Sequence, residues 1–582
     1  MRTIPPAIRH GATLHWRSKV WIRQTGARGA GTPRADGGGR TRTEPFKAPS
    51  RSEMAGALLS LRPMQFMERG VIVGSLKAMP RSPISSVLVA TVWAFAAAPT
   101  VAQIDVPSPK VFSITDRNGV DMVRGSLTMN LGTVAVGGAE GLSNSISVIE
   151  GSIDGPYYRH SLAAGINRFF NPGRSLQTLT VTYFGDSIIF TRSSDGGYIL
   201  KGGRGGTLSL SGGVYTYIAP DGSMASYATA LRSWEDNAMA NEASLLSVTR
   251  PSGEVLTYHY SGTSGVNLRL QSVTSTRGYQ IHFEHAGSGP NVVKVEAINN
   301  TVEACAPTAN VCVLTQEWPT LTLVNNSWVD NLGRVQRSSP DGVIWVSGAQ
   351  WPVINSGYIW DNEQTAVKTV FDGNGTWSYS YGSKPDPTWF DQTSVNTITD
   401  PNGHVTTVKL QWSENFSYDP PRYEPTLVSV TDHLNQTTLY GFQRGTPSWV
   451  QYPEGDSETW LLNRKGNVVA YQHKPKLGSG LPTSTVSVTY ADTSIPVLAR
   501  RPTQMTDARG FVTDYTYDAS GNLLTVTGPA PTSGAPRPQT RYVWEQRYAW
   551  YKQNGSNEIT QAPSPVWVLV SQSECLTGAT CQ

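Results

Sequence analysis

A short phrase recurs along this 582-residue chain: a small or hydroxylated residue, Asp, two variable residues, Gly or Asn, then a β-forming run. It reads Thr399-Asp400-Pro401-Asn402-Gly403, Thr431-Asp432-His433-Leu434-Asn435 and Thr506-Asp507-Ala508-Arg509-Gly510. The fullest copy follows directly, Tyr515-Thr516-Tyr517-Asp518-Ala519-Ser520-Gly521-Asn522-Leu523-Leu524-Thr525. An internal repeat constrains architecture before any single residue constrains chemistry. Asp is expected to accept hydrogen bonds from backbone N–H groups two or three residues on, closing a turn. Gly or Asn supplies the φ > 0 position of a tight hairpin. One hairpin cannot bury enough apolar surface to stand alone, whereas stacked copies can.

Further copies lie at Thr249–Tyr260, Thr274–Phe283, Val329–Val335, Phe371–Tyr381 and Asn463–Val469, with an early echo at Ile114–Gly119. Residues 241–582 therefore read as a repeat array. Residues 103–240 read as a β-rich N-terminal domain that caps it, since a bare terminal strand would expose an unpaired edge. Its strand-like runs include Thr133–Val136, Thr178–Phe184 and Ser187–Thr191, while Tyr157–Phe170 is less clearly β. The fold class is all-β. Sparse charge (15%), 56 Gly and 38 Pro agree with many short strands joined by tight turns, and almost no stretch sustains a helical period.

The net charge of +4 is misleading as a guide to partners. Residues 1–78 carry 14 Lys/Arg against 4 Asp/Glu, a balance of +10, which leaves −6 for the remainder. A nucleic-acid partner is therefore not expected.

The apolar run Ile84–Ala98 follows Met79-Pro80-Arg81 and precedes Pro99-Thr100-Val101-Ala102-Gln103. Its length and flanks fit a secretory signal peptide over 79–102, cleaved before Gln103, better than a transmembrane helix. Met79 is then the expected start, with 1–78 an untranslated or disordered basic leader. The chain is expected to be exported and then either secreted or held at the cell surface.

Four cysteines form two local pairs, Cys305 with Cys312 and Cys575 with Cys581. Each spacing suits a disulfide closing a loop in an oxidising compartment. Zinc is the competing reading, but it favours Cys-x2-4-Cys spacing and usually a nearby His, and neither pair offers that.

The repeat phrase resembles the YD repeats of the RHS family, whose idealised copy runs Tyr-Asp-x-x-Gly-x-Leu-Thr. Tyr517-Asp518-Ala519-Ser520-Gly521-Asn522-Leu523-Leu524-Thr525 is similar to it with one extra Leu. The turns at Asp400/Gly403, Asp432/Asn435 and Asp507/Gly510 match the companion phrase. The resemblance covers roughly 241–582 and implies a β-hairpin spiral of the hollow-shell type. Bacterial members enclose a C-terminal toxin, sit at the cell surface or belong to insecticidal toxin complexes; the teneurins use the shell for adhesion. Polymorphic-toxin members close the shell with a motif containing Asp-Pro-x-Gly. Asp400-Pro401-Asn402-Gly403 has that local form, but further repeats follow it, so it reads as an ordinary turn. The chain is expected to be the N-terminal part of a longer protein, or truncated, with polypeptide cargo or a downstream toxin segment as partner.

No Gly-x-Ser-x-Gly elbow, His-Glu-x-x-His or phosphate-binding loop is present. In His282-Phe283-Glu284-His285 the two His lie three apart on an expected strand, so they point to opposite faces. Many Asp belong to the turn phrase, where a backbone role explains them. No catalytic residue, cofactor site or metal site is expected, and the chain reads as a non-enzyme. The 17 Trp and 24 Tyr cluster at Trp345–Trp351, Tyr542–Trp544 and Tyr548–Tyr551. Core packing is the simpler reading of them, while exposed aromatic platforms would bind surface glycans. The leading expectation is thus an exported RHS-type scaffold that encapsulates or displays another polypeptide. The alternative is a secreted carbohydrate-binding or carbohydrate-active β protein.

Overall fold

The computed structural model describes Val106 and residues 115–575, apart from 151–156, 170–177, 203–204, 232–238, 263–267, 288–290, 326, 339–342, 347–348, 360–363, 384–391, 416–421 and 444–445. The basic leader, the signal peptide with its cleavage site, and Cys581 lie outside the described residues. All described residues belong to one compact unit, 94–582. Among them no helix is long and apolar enough to cross a membrane. Regular structure there is β, with two short 3-10 turns at Gly138–Glu140 and Leu498–Arg500.

Alternation of burial explains the strands. In Val214–Ile218 Tyr215 and Tyr217 turn inward, and in Thr393–Thr399 Ser394, Asn396 and Ile398 do. Tyr279–His285 departs from this pattern and is buried on both faces. The ambiguous stretch 157–170 holds two strands, Tyr157–His160 and Gly165–Phe169, of which the first joins a three-stranded sheet with Leu127–Val136 and Leu142–Glu150. In that sheet Leu127, Leu131 and Val134 are buried together. Their uneven spacing follows from the bulge between Asn130 and Gly132, which resets the inward face. This sheet packs against the main one through a shared core that includes Leu142, Ile146, Phe283, Val295, Leu321 and Trp328. Full burial of such side chains contributes roughly 1.5–3 kcal/mol each against exposure.

The main sheet is antiparallel and runs hairpin after hairpin from Gly165–Phe169 to Gln539–Arg547, which then pairs Val566–Cys575. It branches at Met239–Thr249. One edge of that strand pairs Met224–Ala228. The other edge holds two strands end to end, Val255–Ser261 against Ser247–Thr249 and Gly165–Phe169 against Met239–Ser244. The sheet closes on itself through this strand. It straddles the boundary expected near 240 and pairs with segments on both sides of it.

The chain also winds back on itself over long sequence separations. Asn118 Nδ2 donates to Tyr379 Oη at 2.9 Å across 261 residues. Asn396 Nδ2 donates to Met122 O at 2.9 Å across 274. Gly205 approaches Gly466, and Gly222 meets Val497. Further on, Gly278 touches Tyr551, and Lys552 Nζ donates to Val302 O at 2.8 Å across 250 residues. Contacts of this kind, from Val367 N on Gly125 O to Trp567 N on Ser252 O, are those of successive turns of a spiral.

Candidate functional site

The repeat turns share one geometry. At Asp518 the backbone N–H donates to Asn522 O at 3.0 Å, and Gly521 N–H donates to Asp518 O at 3.1 Å. Asp518 Oδ1 accepts from Ser520 N at 2.8 Å and Asn522 N at 2.9 Å. Asp400, Asp432 and Asp507 repeat this, accepting from Asn402 and His404, Leu434 and Gln436, and Arg509 and Phe511. Asn463 does the same with its amide oxygen. The second side-chain bond thus comes from four residues on, not three as the sequence reading expected. The N–H three residues on is committed to the Asp carbonyl, which closes a type I turn followed by a left-handed residue. That residue is Gly403, Asn435, Gly510 or Gly521, with φ of 83°, 61°, 84° and 82°. The variant copy at Asp372 instead takes N–H bonds two and three residues on, with φ > 0 moved to Gly373. At Asp507 the N–H of Phe511 and the Arg509 guanidinium hold the carboxyl below its usual range. At Asp400 burial pushes the carboxyl up, and hydrogen bonds from His404 and Asn402 outweigh it.

The second notable region is a looped polar face. Gln280 and His282 point to the same side of Tyr279–His285, opposite Ile298 and Glu296 on Val292–Asn299. The segment after that strand folds over this side. Pro307 O accepts from Ser272 Oγ at 2.7 Å, and Ala309 O lies 2.9 Å from His282 Nε2. Asn310 clamps the backbone of His285 from both its N–H and its carbonyl. Glu303 ties the loop's far end, accepting from Gln316 N at 3.1 Å and Trp318 Nε1 at 3.0 Å. Cys305 and Cys312 stand at disulfide distance within the loop, their Cα atoms 5.5 Å apart. Cys575 ends the last strand, away from this loop in sequence.

His282 and His285 turn to different partners, the latter placing Nε2 2.8 Å from Leu270 O. His282 instead sits beside the cysteines: one of its ring nitrogens and both sulfurs lie within 4.8 Å of one another. A His is therefore near the first cysteine pair, in space though not in sequence. The signal that could have found it is strand register, which places 282 under the loop but cannot be counted from the Cys spacing.

The aromatics divide. Tyr542 is buried, Trp544 Nε1 donates to Leu523 O at 2.8 Å, and Tyr551 is buried against the 278 turn. Tyr548 and Trp550 are exposed at 43% and 58%. The side chains of Trp345 to Trp351 lie outside those described.

Residues 501–533, which contain the Asp507 and Asp518 turns, match the RHS Repeat family model. No curated protein matches the chain. Among solved structures, a Tc holotoxin pore of Photorhabdus luminescens is 13% identical with a TM-score of 0.30, over 75% of this chain and 27% of that one. A TcdB2-TccC3 structure without its hypervariable C-terminal region is 11% identical with a TM-score of 0.25, over 80% and 33%. The chain spans about a third or less of the length of these neighbours. Residues 501–533 thus form an RHS repeat, set in an all-β hairpin sheet whose other turns share the geometry of its Asp507 and Asp518 turns.

Proposed function

We propose that this chain is wall material: an exported RHS-type scaffold that encloses or displays a toxin or other polypeptide and performs no catalysis itself. The observation that carries the reading is the winding. Hairpins of a repeat family stack side by side, and the chain meets itself again after 261 residues, where the turn at Asn118 bonds Tyr379. A spiral of that girth suits a curved wall better than a solid core. The acidic residues of the phrase serve backbone N–H groups, which leaves them little freedom for proton transfer.

Electron microscopy of the full chain tests this. A curved β wall around solvent or around a co-expressed polypeptide is the expected result; a solid particle would overturn it. Export is tested separately by sequencing the N-terminus of the protein recovered outside the cytoplasm, expected at Gln103.

Exposure of Tyr548 and Trp550 favours a second reading, glycan binding. Retention on a glycan array that is lost in Trp550→Ala would support it.

A further inference from the structure

The buried corner beneath the 300–318 loop joins two cysteine sulfurs to an imidazole. His282 is fully buried and Cys305 nearly so, while Cys312 is half-buried toward the surface. The His282 ring has a polar neighbour at each end. Nε2 faces the loop carbonyl of Ala309 at 2.9 Å, and Nδ1 faces Glu296 Oε2 at 3.5 Å. Glu296 is itself fixed by Lys294 Nζ at 2.6 Å on its other oxygen. Neither His282 Nδ1 nor Glu296 Oε2 has a full hydrogen bond. A carboxylate behind one ring nitrogen is the arrangement that orients a metal-bound histidine and frees its other nitrogen.

We propose that, when Cys305 and Cys312 are reduced, their thiolates and His282 Nε2 form a zinc site, with Glu296 as positioning residue and a fourth position open toward solvent at Cys312. This goes beyond the scaffold reading and stands without it. The chemistry balances with a dithiol as reductant: it gives two electrons and two protons to the disulfide and becomes a cyclic disulfide. Zn2+ then displaces the two thiol protons. The imidazole proton sits on Nδ1, facing Glu296, and Ala309 O exchanges its donor for water. Two thiolates on one tetrahedral zinc stand about 3.8 Å apart, given metal–sulfur bonds of about 2.3 Å. Cα atoms 5.5 Å apart allow that separation through side-chain rotation. One loop would thus be closed by metal under reducing conditions and by a disulfide under oxidising ones.

The test uses the full chain carrying Cys575→Ser and Cys581→Ser, so that only the 305/312 pair can respond. After reduction with dithiol and its removal without oxygen, Co2+ is titrated in as a coloured zinc substitute. The expected result is a thiolate-to-cobalt charge-transfer band that saturates at one equivalent, bleaches with Zn2+ and is absent from the oxidised protein. Cys312→Ser, at the more accessible ligand, should abolish the band while circular dichroism keeps its β signature. Glu296→Gln should weaken binding about 10–100-fold without removing the band. No band in the reduced protein, or an undiminished band in Cys312→Ser or His282→Gln, would overturn the proposal.

Discussion

Tyr379 Oη donates to Asp116 Oδ2 at 2.6 Å across 263 residues, joining the first repeat-like turn to a strand one winding later. Asp116 meanwhile uses Oδ1 to hold its own turn through Asn118 N and Val120 N. Burial first, and then the carboxylate it donates to, push the Tyr379 hydroxyl well above its usual range, so it remains a donor at any ordinary pH. Tyr379→Phe removes the bond and keeps the ring. Hydrogen exchange of residues 115–125 should speed up by the equivalent of about 2 kcal/mol, with the 393–431 hairpins unchanged. Equal exchange in both proteins would show that the N-terminal segment docks without this bond.

The turn phrase predicts an ordering among substitutions at Asp518. Asn463 shows that an amide oxygen can replace the carboxylate. Asp518→Asn should therefore cost little. Asp518→Ala leaves Ser520 N and Asn522 N without their acceptor and should cost about 1–2 kcal/mol in urea unfolding. Equal effects of Asn and Ala would refute the hydrogen-bond account.

Two glycines separate backbone strain from crowding. Gly510 and Gly521 have φ of 84° and 82°. A Cβ at Gly510 would meet nothing within 4 Å, whereas one at Gly521 would lie 2.5 Å from Val497 Cγ2. Gly510→Ala should cost about 1–2 kcal/mol from the left-handed backbone alone. Gly521→Ala should cost more by about 1–3 kcal/mol, and Val497→Ala should recover part of that difference. Differential scanning calorimetry of the single and double variants checks this.

Glu303 makes the loop acid-sensitive. Burial pushes its carboxyl up, but the N–H groups of Thr315, Trp318 and Gln316 outweigh that and bring it down to about 2 from 4.5. A depressed acid stabilises the folded loop fully above the unfolded value and loses that contribution as pH falls through the folded one. The loop end at Trp318 should therefore loosen between about pH 4.5 and 2. The fluorescence difference between wild type and Trp318→Phe should follow that titration. In Glu303→Gln the pH dependence should disappear.

Much of the architecture was legible because the phrase is local. Asp, Gly and Asn at fixed offsets determine hydrogen bonds within five residues, so Asp400, Asp432, Asp507 and Asp518 could be placed as turns from sequence. What could not be read is which strands meet after a long detour. Nothing near Asp116 names Tyr379, and nothing near Cys305 names His282. The two strands within 157–170 were obscured for a related reason. Tyr157–His160 pairs with Leu142–Glu150 in one sheet, while Gly165–Phe169 pairs with Met239–Ser244 in another. Neither carries the turn phrase.

The winding also has a consequence in time. A residue such as Asp116 waits for Tyr379 until 263 more residues have been made. At 5–20 residues per second that is roughly 13–50 s, far longer than the microseconds a hairpin needs to form. Each hairpin is thus finished long before the wall that will cover its apolar face exists. The exposed interval falls on Val120, Val123 and Leu127, whose burial depends on strands not yet synthesised. For this chain, the order of synthesis sets how long its own core stands open to other proteins.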